Sequence, residues 1–280
     1  MKIKKLGMMA NDSPRAVDLA IESVSYLKGK VESMLAEDHL LAAIAARNRK
    51  ISSSLAGLNP ATDLVDLVLV FGGDGTILRT VQCFGDSAVP ICGVNMGRTG
   101  FLSQVEPRDL LPSLKRLASG KFELVTRMKV EVRLGAEKLG SALNELLVQG
   151  TKTGKIFRAS VGIQSLGDFM LEGDGVIVST PTGSTGHSLS AGGPVVDWGL
   201  DAMVVAPLGA IRPIRPLVVS PEKEIVIVPG DECCLAMDGR VVGRAGQGNE
   251  VRVRRSESKA VFAVLRPDLF WAKLRQRIGG

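Results

Sequence analysis

The segment Val70–Thr80, "VFGGDGTILRT", sets the terms for the rest of the chain. The apolar run "DLVLVF" leads into three glycines around a single aspartate, and a helix-forming stretch follows at once. An unbroken apolar run reads as a strand buried on both faces, as in a parallel sheet covered by helices. A strand that ends in glycines and feeds a helix N-terminus offers backbone N–H groups and a positive dipole end to an anion. The spacing is neither the P-loop GxxxxGK[ST] nor the dinucleotide fingerprint GxGxxG. The plainer alternative is a tight strand-to-helix turn with Asp74 as a helix cap.

The neighbouring sequence has the same texture. From Lys2 to about Lys121, strand-like runs ("KIKKLGMM", "VESML", "VPICGVN") alternate with helical stretches. One of these opens at Ser13-Pro14 and carries Val17, Ala20, Ile21, Val24 and Leu27 on one face. Such alternation predicts an α/β domain with a parallel sheet. Beyond about Phe122 the pattern changes to short Val- and Ile-rich runs ("MKVEVRL", "GVIVST", "PLVVS", "EIVIVPG", "EVRVRR") separated by Gly, Pro and charged turns, the signature of a mostly antiparallel β domain. The expected organisation is residues 1–122 as the α/β domain, 123–266 as the β-rich domain, and 267–280 as a helix packing back on the first domain.

Composition narrows the partners. Lys and Arg number 35 against 29 Asp and Glu, a net charge of +6 that suits a phosphorylated small molecule as well as a nucleic acid. Aromatic residues are 4% of the chain, too few for a stacking platform, which argues against nucleic acid. The four cysteines form no CxxC pair and have no histidine spacing suited to zinc, so a reduced, cytoplasmic setting is expected, with no metal held by the protein. The N-terminal apolar stretch is too short for a signal peptide. No run reaches the roughly 20 apolar residues of a membrane helix.

Three further segments bear on chemistry. "GVNMGRTGFLSQVEP" (Gly93–Pro107) is a second glycine-rich loop one strand after the first. "GDGVIVSTPTGSTGHSLSAGGP" (Gly173–Pro194) is a third, with five hydroxyl side chains between Ser179 and Thr185 and little bulk. A polar loop between strands is its plainer reading, but long loops of this composition more often form ligand surfaces than linkers. In "ALNELLVQG" the pair Asn144-Glu145 lies in an apolar strand-like run. Adjacent strand residues face opposite sides, so at least one polar group is expected to face inward and need a partner; a partly exposed strand end is the alternative.

These pieces, "GGDGTILR", "GVNMGRTGFL", "ALNE", "GDGVIVSTPTGSTGHSLSAGGPVV", "RPLVVS", "MDG" and "LRPDLFWAKLRQRIG", together resemble the NAD kinase family, in the family's order from about residue 66 onward. "GGDGT" alone is shared with lipid kinases and phosphofructokinases; the "TPTGST" segment is far more specific. The resemblance implies phosphoryl transfer from ATP or polyphosphate to the 2′-hydroxyl of the adenosine ribose of NAD, with Mg²⁺ on the donor phosphates. It assigns Gly72, Gly73, Gly75 and Thr76 to the donor-phosphate loop and Asp74 to the catalytic position. Gly75, Arg79 and Phe101 fall beside the ribose and phosphates. Asn144, Glu145, Lys155, Asp174, Thr185, Gly186, His187, Ser188, Leu189, Ser190 and Arg240 fall on the dinucleotide. Homodimers or homotetramers are implied. The chain departs from the family where many members carry Ala-Tyr and this one has Gly186-His187, where a basic residue is replaced by Glu172, and in "PLGAIRPIRPLVV". Two rival readings stand beside this one: a lipid kinase of related fold, and a dinucleotide sensor without turnover.

Overall fold

A computed structural model describes residues 2–97, 100–267 and 269–278. The chain divides into two units, Met1–Thr126 with Ala260–Gly280, and Arg127–Lys259.

In the first unit the elements run β1 (Lys5–Ala10), α1 (Pro14–Leu27), β2 (Ser33–Ala36), α2 (Asp38–Arg47), α3 (Arg49–Ser52), β3 (Ala56–Gly57), β4 (Leu67–Gly72), α4 (Asp74–Phe84), β5 (Pro90–Asn95) and α5 (Leu110–Ala118). The strands pair in parallel in the order β5-β4-β1-β2-β3. All six residues of β4 are buried, as a strand covered on both faces requires. Helix α1 starts where Ser13 accepts the Ala16 amide and Pro14 occupies the first turn. Its stripe of Val17, Ala20, Val24 and Leu27 packs with Leu6, Met8, Leu69 and Phe71 of the sheet. At ~25 cal/mol per Å² of apolar surface, burying each such Val or Leu contributes ~1.5–3 kcal/mol before entropy is counted. Strands β1, β4 and β5 finish side by side, with Ala10 beside Phe71 and Gly72 beside Asn95. Ligands of open α/β sheets bind outside such carboxyl ends.

The second unit is built on antiparallel pairings. After β6 (Glu123–Leu134) and β7 (Glu137–Ala142) come β8 (Glu145–Gly150), β9 (Phe157–Ile163), β10 (Gly167–Gly173), β11 (Gly175–Ser179), the single turn α6 (His187–Ser190), β12 (Met203–Leu208), β13 (Leu217–Val219), β14 (Ile225–Pro229), β15 (Cys233–Met237) and β16 (Arg240–Ala245). One sheet is ordered β13-β12-β11-β8-β15-β16, and β10-β9-β14 lie in another. Strand β9 alternates buried and more exposed positions, and its inward Phe157, Ala159, Val161 and Ile163 share a core with Leu146, Val148, Val176 and Val178 of the other sheet.

Strand β17 (Val251–Val264) and helix α7 (Leu269–Ile278) close the chain. Val251 and Val253 pair with β14, whereas Val261 and Phe262 pair in parallel with Pro90 and Ile91 of β5. The first unit takes the chain back at Ala260, inside a strand. Apolar "VFAVL" matches either kind of sheet, so composition carries no mark of the change.

Candidate active site

The first glycine loop closes β4 and opens α4, with Gly73 as the helix N-cap and Asp74 as the first helical residue. Its glycines have different reasons to be glycine. A Cβ on Gly72 would lie 2.2 Å from Thr76 Oγ1, so internal packing excludes a side chain there; a Cβ on Gly75 would meet nothing within 4 Å. Gly75 is thus the member of the loop that leaves room for something else. Gly73 lies against Gly97 of the second glycine loop, and the Met96 amide donates to the Gly72 carbonyl at 3.1 Å.

Asp74 does not cap its own helix. Its carboxylate reaches the second loop, where the Phe101 amide donates to Oδ2 at 3.0 Å and the Leu102 amide to Oδ1 at 2.9 Å. Hydrogen bonds to an ionised acceptor are about twice as strong as neutral ones, so the two loops are fastened through this one side chain. The second loop is in turn shaped by Gly100 at φ +56°, where a Cβ would lie 2.4 Å from Asn95 Oδ1 and 2.5 Å from Ser103 Oγ. Asn95 accepts the Gly97 amide at 3.0 Å and donates to Glu106 at 3.2 Å. Arg98 and Thr99 lie outside the described residues. Phe101 is buried and takes part through its backbone.

Arg79, expected to meet phosphate, is engaged otherwise. Its guanidinium donates to both oxygens of Glu37, at 2.7 and 2.8 Å, and to the Ala10 carbonyl at 2.7 Å. The Glu37 hydrogen bond is the leading cause that raises its pKa. One turn into α4 the side chain finds the ends of β1 and β2 first, and in this structure it braces them.

In the second unit, Asn144 and Glu145 are not on opposite sides of a strand. Asn144 stands just before β8, at a bend where one carboxylate, that of Asp238, accepts three consecutive amides: Leu143 at 2.9 Å, Asn144 at 2.7 Å and Glu145 at 3.2 Å. Successive amides of an extended strand alternate sides, so converging on one carboxylate bends the backbone and brings the two side chains together. A Cβ on Gly186 would lie 3.6 Å from Glu145 Oε2 and 3.7 Å from Asn144 Nδ2. Asn144 Oδ1 and Glu145 Oε2 are buried with no hydrogen-bond partner among the described residues, and so are Ser179 Oγ and Ser188 Oγ. Burial, helped by the nearby Asp238 charge, pushes the Glu145 carboxyl up to about 8. At neutral pH it is therefore mainly a carboxylic acid, able to donate.

The third loop folds over this bend. Thr180 donates its amide to the Asn144 carbonyl at 2.8 Å and its hydroxyl to the Leu143 carbonyl at 2.6 Å. A Cβ on Gly183 would lie 2.1 Å from the Asn144 oxygen. Thr185 is buried, ending a turn of 3₁₀ helix; Ser188 is buried and Leu189 half-buried in α6, where His187 and Ser190 are exposed. The structure thus brings Gly186 up to Asn144 and Glu145, with buried Thr185 and Ser188 on either side of it in the chain, and leaves His187 exposed. Asp174 and Lys155 line a separate cavity of about 470 Å³ with Gln149, Lys152 and Ile211. Arg240 is exposed at the start of β16. Glu172 pairs with Arg158 at 3.2 Å and lies 3.9 Å from Arg212.

Sequence reasoning missed Asp238 as a site residue. The signal was present: "MDGR" is an Asp-Gly hairpin turn, and Asp238 (φ +48°) and Gly239 (φ +80°) both adopt positive φ between paired Met237 and Arg240. What sequence does not show is that this turn aims its carboxylate at Leu143–Glu145. Among the described residues, no group of three or more His, Cys, Asp or Glu side chains is placed to hold a metal ion.

Comparison with known proteins gives these loops a family. The model of the ATP-NAD kinase N-terminal domain matches residues 6–122, and that of the ATP-NAD kinase C-terminal domain matches residues 143–265. An NAD kinase of Geotalea daltonii is 34% identical over 289 residues, covering 97% of this chain and 100% of its own. Among solved structures, yeast NADH kinase complexed with NADH superposes with a TM-score of 0.91 at 21% identity, over 100% of this chain and 88% of the other, a likeness of fold alone. An NAD kinase from Archaeoglobus fulgidus in complex with ATP gives a TM-score of 0.77 at 27% identity, over 97% and 98%. Two domain models matched in succession and a relative matched over its whole length agree with the glycine loops already described: the chain belongs to the NAD kinase family.

Proposed function

We propose that this phosphotransferase uses Asp74 to present the 2′-hydroxyl of the adenosine ribose of NAD to a phosphoryl donor, making NADP. The observation that carries the reading is the Asp74 carboxylate at the mouth of the glycine loop, held by the Phe101 and Leu102 amides. A carboxylate has about four acceptor positions; with two of them occupied, it is oriented and still able to accept from a hydroxyl. Phosphoryl transfer asks mainly for positioning and for charge stabilisation at the equatorial oxygens. The open space at Gly75 and the N-terminus of α4 supply backbone approach and a favourable dipole for donor phosphates.

Asn144 and Glu145 are assigned to the dinucleotide. Asn144 Oδ1 is a buried acceptor and the protonated Glu145 a buried donor, both lacking partners. Such a pair matches a sugar hydroxyl or an adenine edge, each of which offers a donor and an acceptor. Thr185, Gly186, Ser188 and Leu189 would complete that wall, with His187 and Ser190 at its rim and Lys155, Asp174 and Arg240 making outer polar contacts.

Mg²⁺ would enter on the donor phosphates, which suits residues that build no cage of their own, because magnesium is commonly held by few protein ligands plus substrate phosphates. It would neutralise charge developing on the transferred group. Asp74, with its carboxylate tied to two amides, keeps the role of orienting the hydroxyl. The donor is ATP or polyphosphate, and the setting is cytoplasmic, in keeping with four free thiols. A homodimer or homotetramer would be built through exposed strand edges such as Leu217 and Val218 of β13. The lipid-kinase and sensor readings are not favoured, since the matched relative is an NAD kinase from end to end. Incubation with NAD, Mg²⁺ and either donor, followed by enzymatic assay of NADP, tests the proposal. NADP from one or both donors supports it, and NADP from neither overturns it.

A further inference from the structure

Helix α7 carries one side chain that does not belong to an ordinary surface helix. Lys273 is 6% exposed. Its ammonium donates to the Gly100 carbonyl, to the Ser103 carbonyl at 2.8 Å and to Ser103 Oγ at 3.2 Å. An ammonium has three protons, and here three acceptors from one tight loop receive them. Ser103 Oγ itself donates to the Gly100 carbonyl at 2.8 Å, so lysine and serine together pin both ends of Gly100–Ser103. The two residues between those ends are Phe101 and Leu102, whose amides hold Asp74. Burial is the largest influence on Lys273 and pulls its pKa down; the carboxylates of Glu106 and Asp74 oppose it, and Arg266 adds to it. A lysine tied only to a remote surface would not feel the charge of Asp74.

We propose that Lys273 is a positioning residue for phosphoryl transfer: it fixes the Gly100–Ser103 turn so that two adjacent amides face the Asp74 carboxylate. The inference rests on the assignment of Asp74 above. The chemistry explains why a lysine serves here. Two carbonyls and a hydroxyl converging in a buried space need a donor with three protons on one atom, and a flexible stem lets α7 deliver it. Without the ammonium the Ser103 carbonyl loses this donor and the Gly100 carbonyl is left with the Ser103 hydroxyl alone, so the turn relaxes and the amides drift from the carboxylate. Misplacement of a reacting group by about 1 Å can cost on the order of 10²-fold in rate.

The test compares wild type, Lys273→Met, Asp74→Asn and the double variant for kcat, for the KM of NAD and of ATP, and for thermal unfolding. Wild-type formation of NADP is the control for the underlying assignment; if it is absent, that assignment fails and not this inference alone. With the control positive, Lys273→Met is expected to lower kcat by about 10- to 100-fold while both KM values stay within about threefold. In the Asp74→Asn background the same substitution should lower kcat by less than about threefold, because residues acting as a unit are not additive. An unchanged kcat, or an equal loss in both backgrounds, overturns the inference and leaves Lys273 as a fastener of α7. Should Lys273→Met not fold, Ser103→Ala, which removes one of the three acceptors, takes its place under the same two criteria.

Discussion

Asp74 and Glu145 are both acidic, and their surroundings give them opposite tasks. Two backbone amides hold Asp74 as an acceptor, whereas burial beside Asp238 makes Glu145 a donor at neutral pH. Asp74→Asn is therefore more than the loss of a charge. One side of the new amide faces a backbone N–H with another N–H, so a buried donor goes unpaired at a cost of about 1–3 kcal/mol, seen as a lower midpoint in urea unfolding. Glu145 has a native pKa of about 8, well above its ordinary value of 4.5. Between those values the native state holds a proton that the unfolded chain has released, so its stabilising effect is complete below the ordinary value and lost as pH rises toward 8. Wild type should lose up to ~1.4 kcal/mol per pH unit across that window. In Glu145→Gln the slope from this residue should vanish, as urea titrations from pH 4.5 to 8.5 would show. Equal slopes in the two proteins would mean that Glu145 ionises freely.

Among elements, loops held by carboxylates recur. Asp74 ties the second glycine loop to the first, and Asp238 at the β15–β16 turn ties down the bend before β8. The third loop depends on that bend, since Gly183 passes so close to the Asn144 carbonyl that a Cβ would lie 2.1 Å from it. In Gly183→Ala something must shift, and the neighbour is backbone on both sides. We expect the NAD KM to rise about tenfold or more while the ATP KM holds within twofold, since nothing in the first glycine loop is touched. Steady-state kinetics with each substrate varied in turn would decide it, and a parallel rise in both constants would point to loss of folded protein instead.

At the scale of the whole molecule, the alternation of strands and helices to Lys121 and the Val-rich runs after it were legible, because periodicity reports which faces are buried. The glycine-rich segments were legible as loops between strands and helices, because glycine and small hydroxyl residues in that density favour turns over packed elements. Four features were not. Strand β17 changes partners with no change in composition. Arg79 turns to Glu37, a contact 42 residues away. Asp238 and Lys273 act across 94 and 173 residues, on Asn144 and Gly100. Such long-range hydrogen bonds leave no local pattern. The measurement that most directly tests the account is single-turnover formation of NADP by wild type and by Asp74→Asn, with NAD affinity determined separately for each. Wild type should transfer phosphate to the 2′-hydroxyl, and the variant should be slower by about 10² to 10⁴ at little-changed NAD affinity. Near-equal rates in the two proteins, or phosphate on any other hydroxyl, would contradict the account.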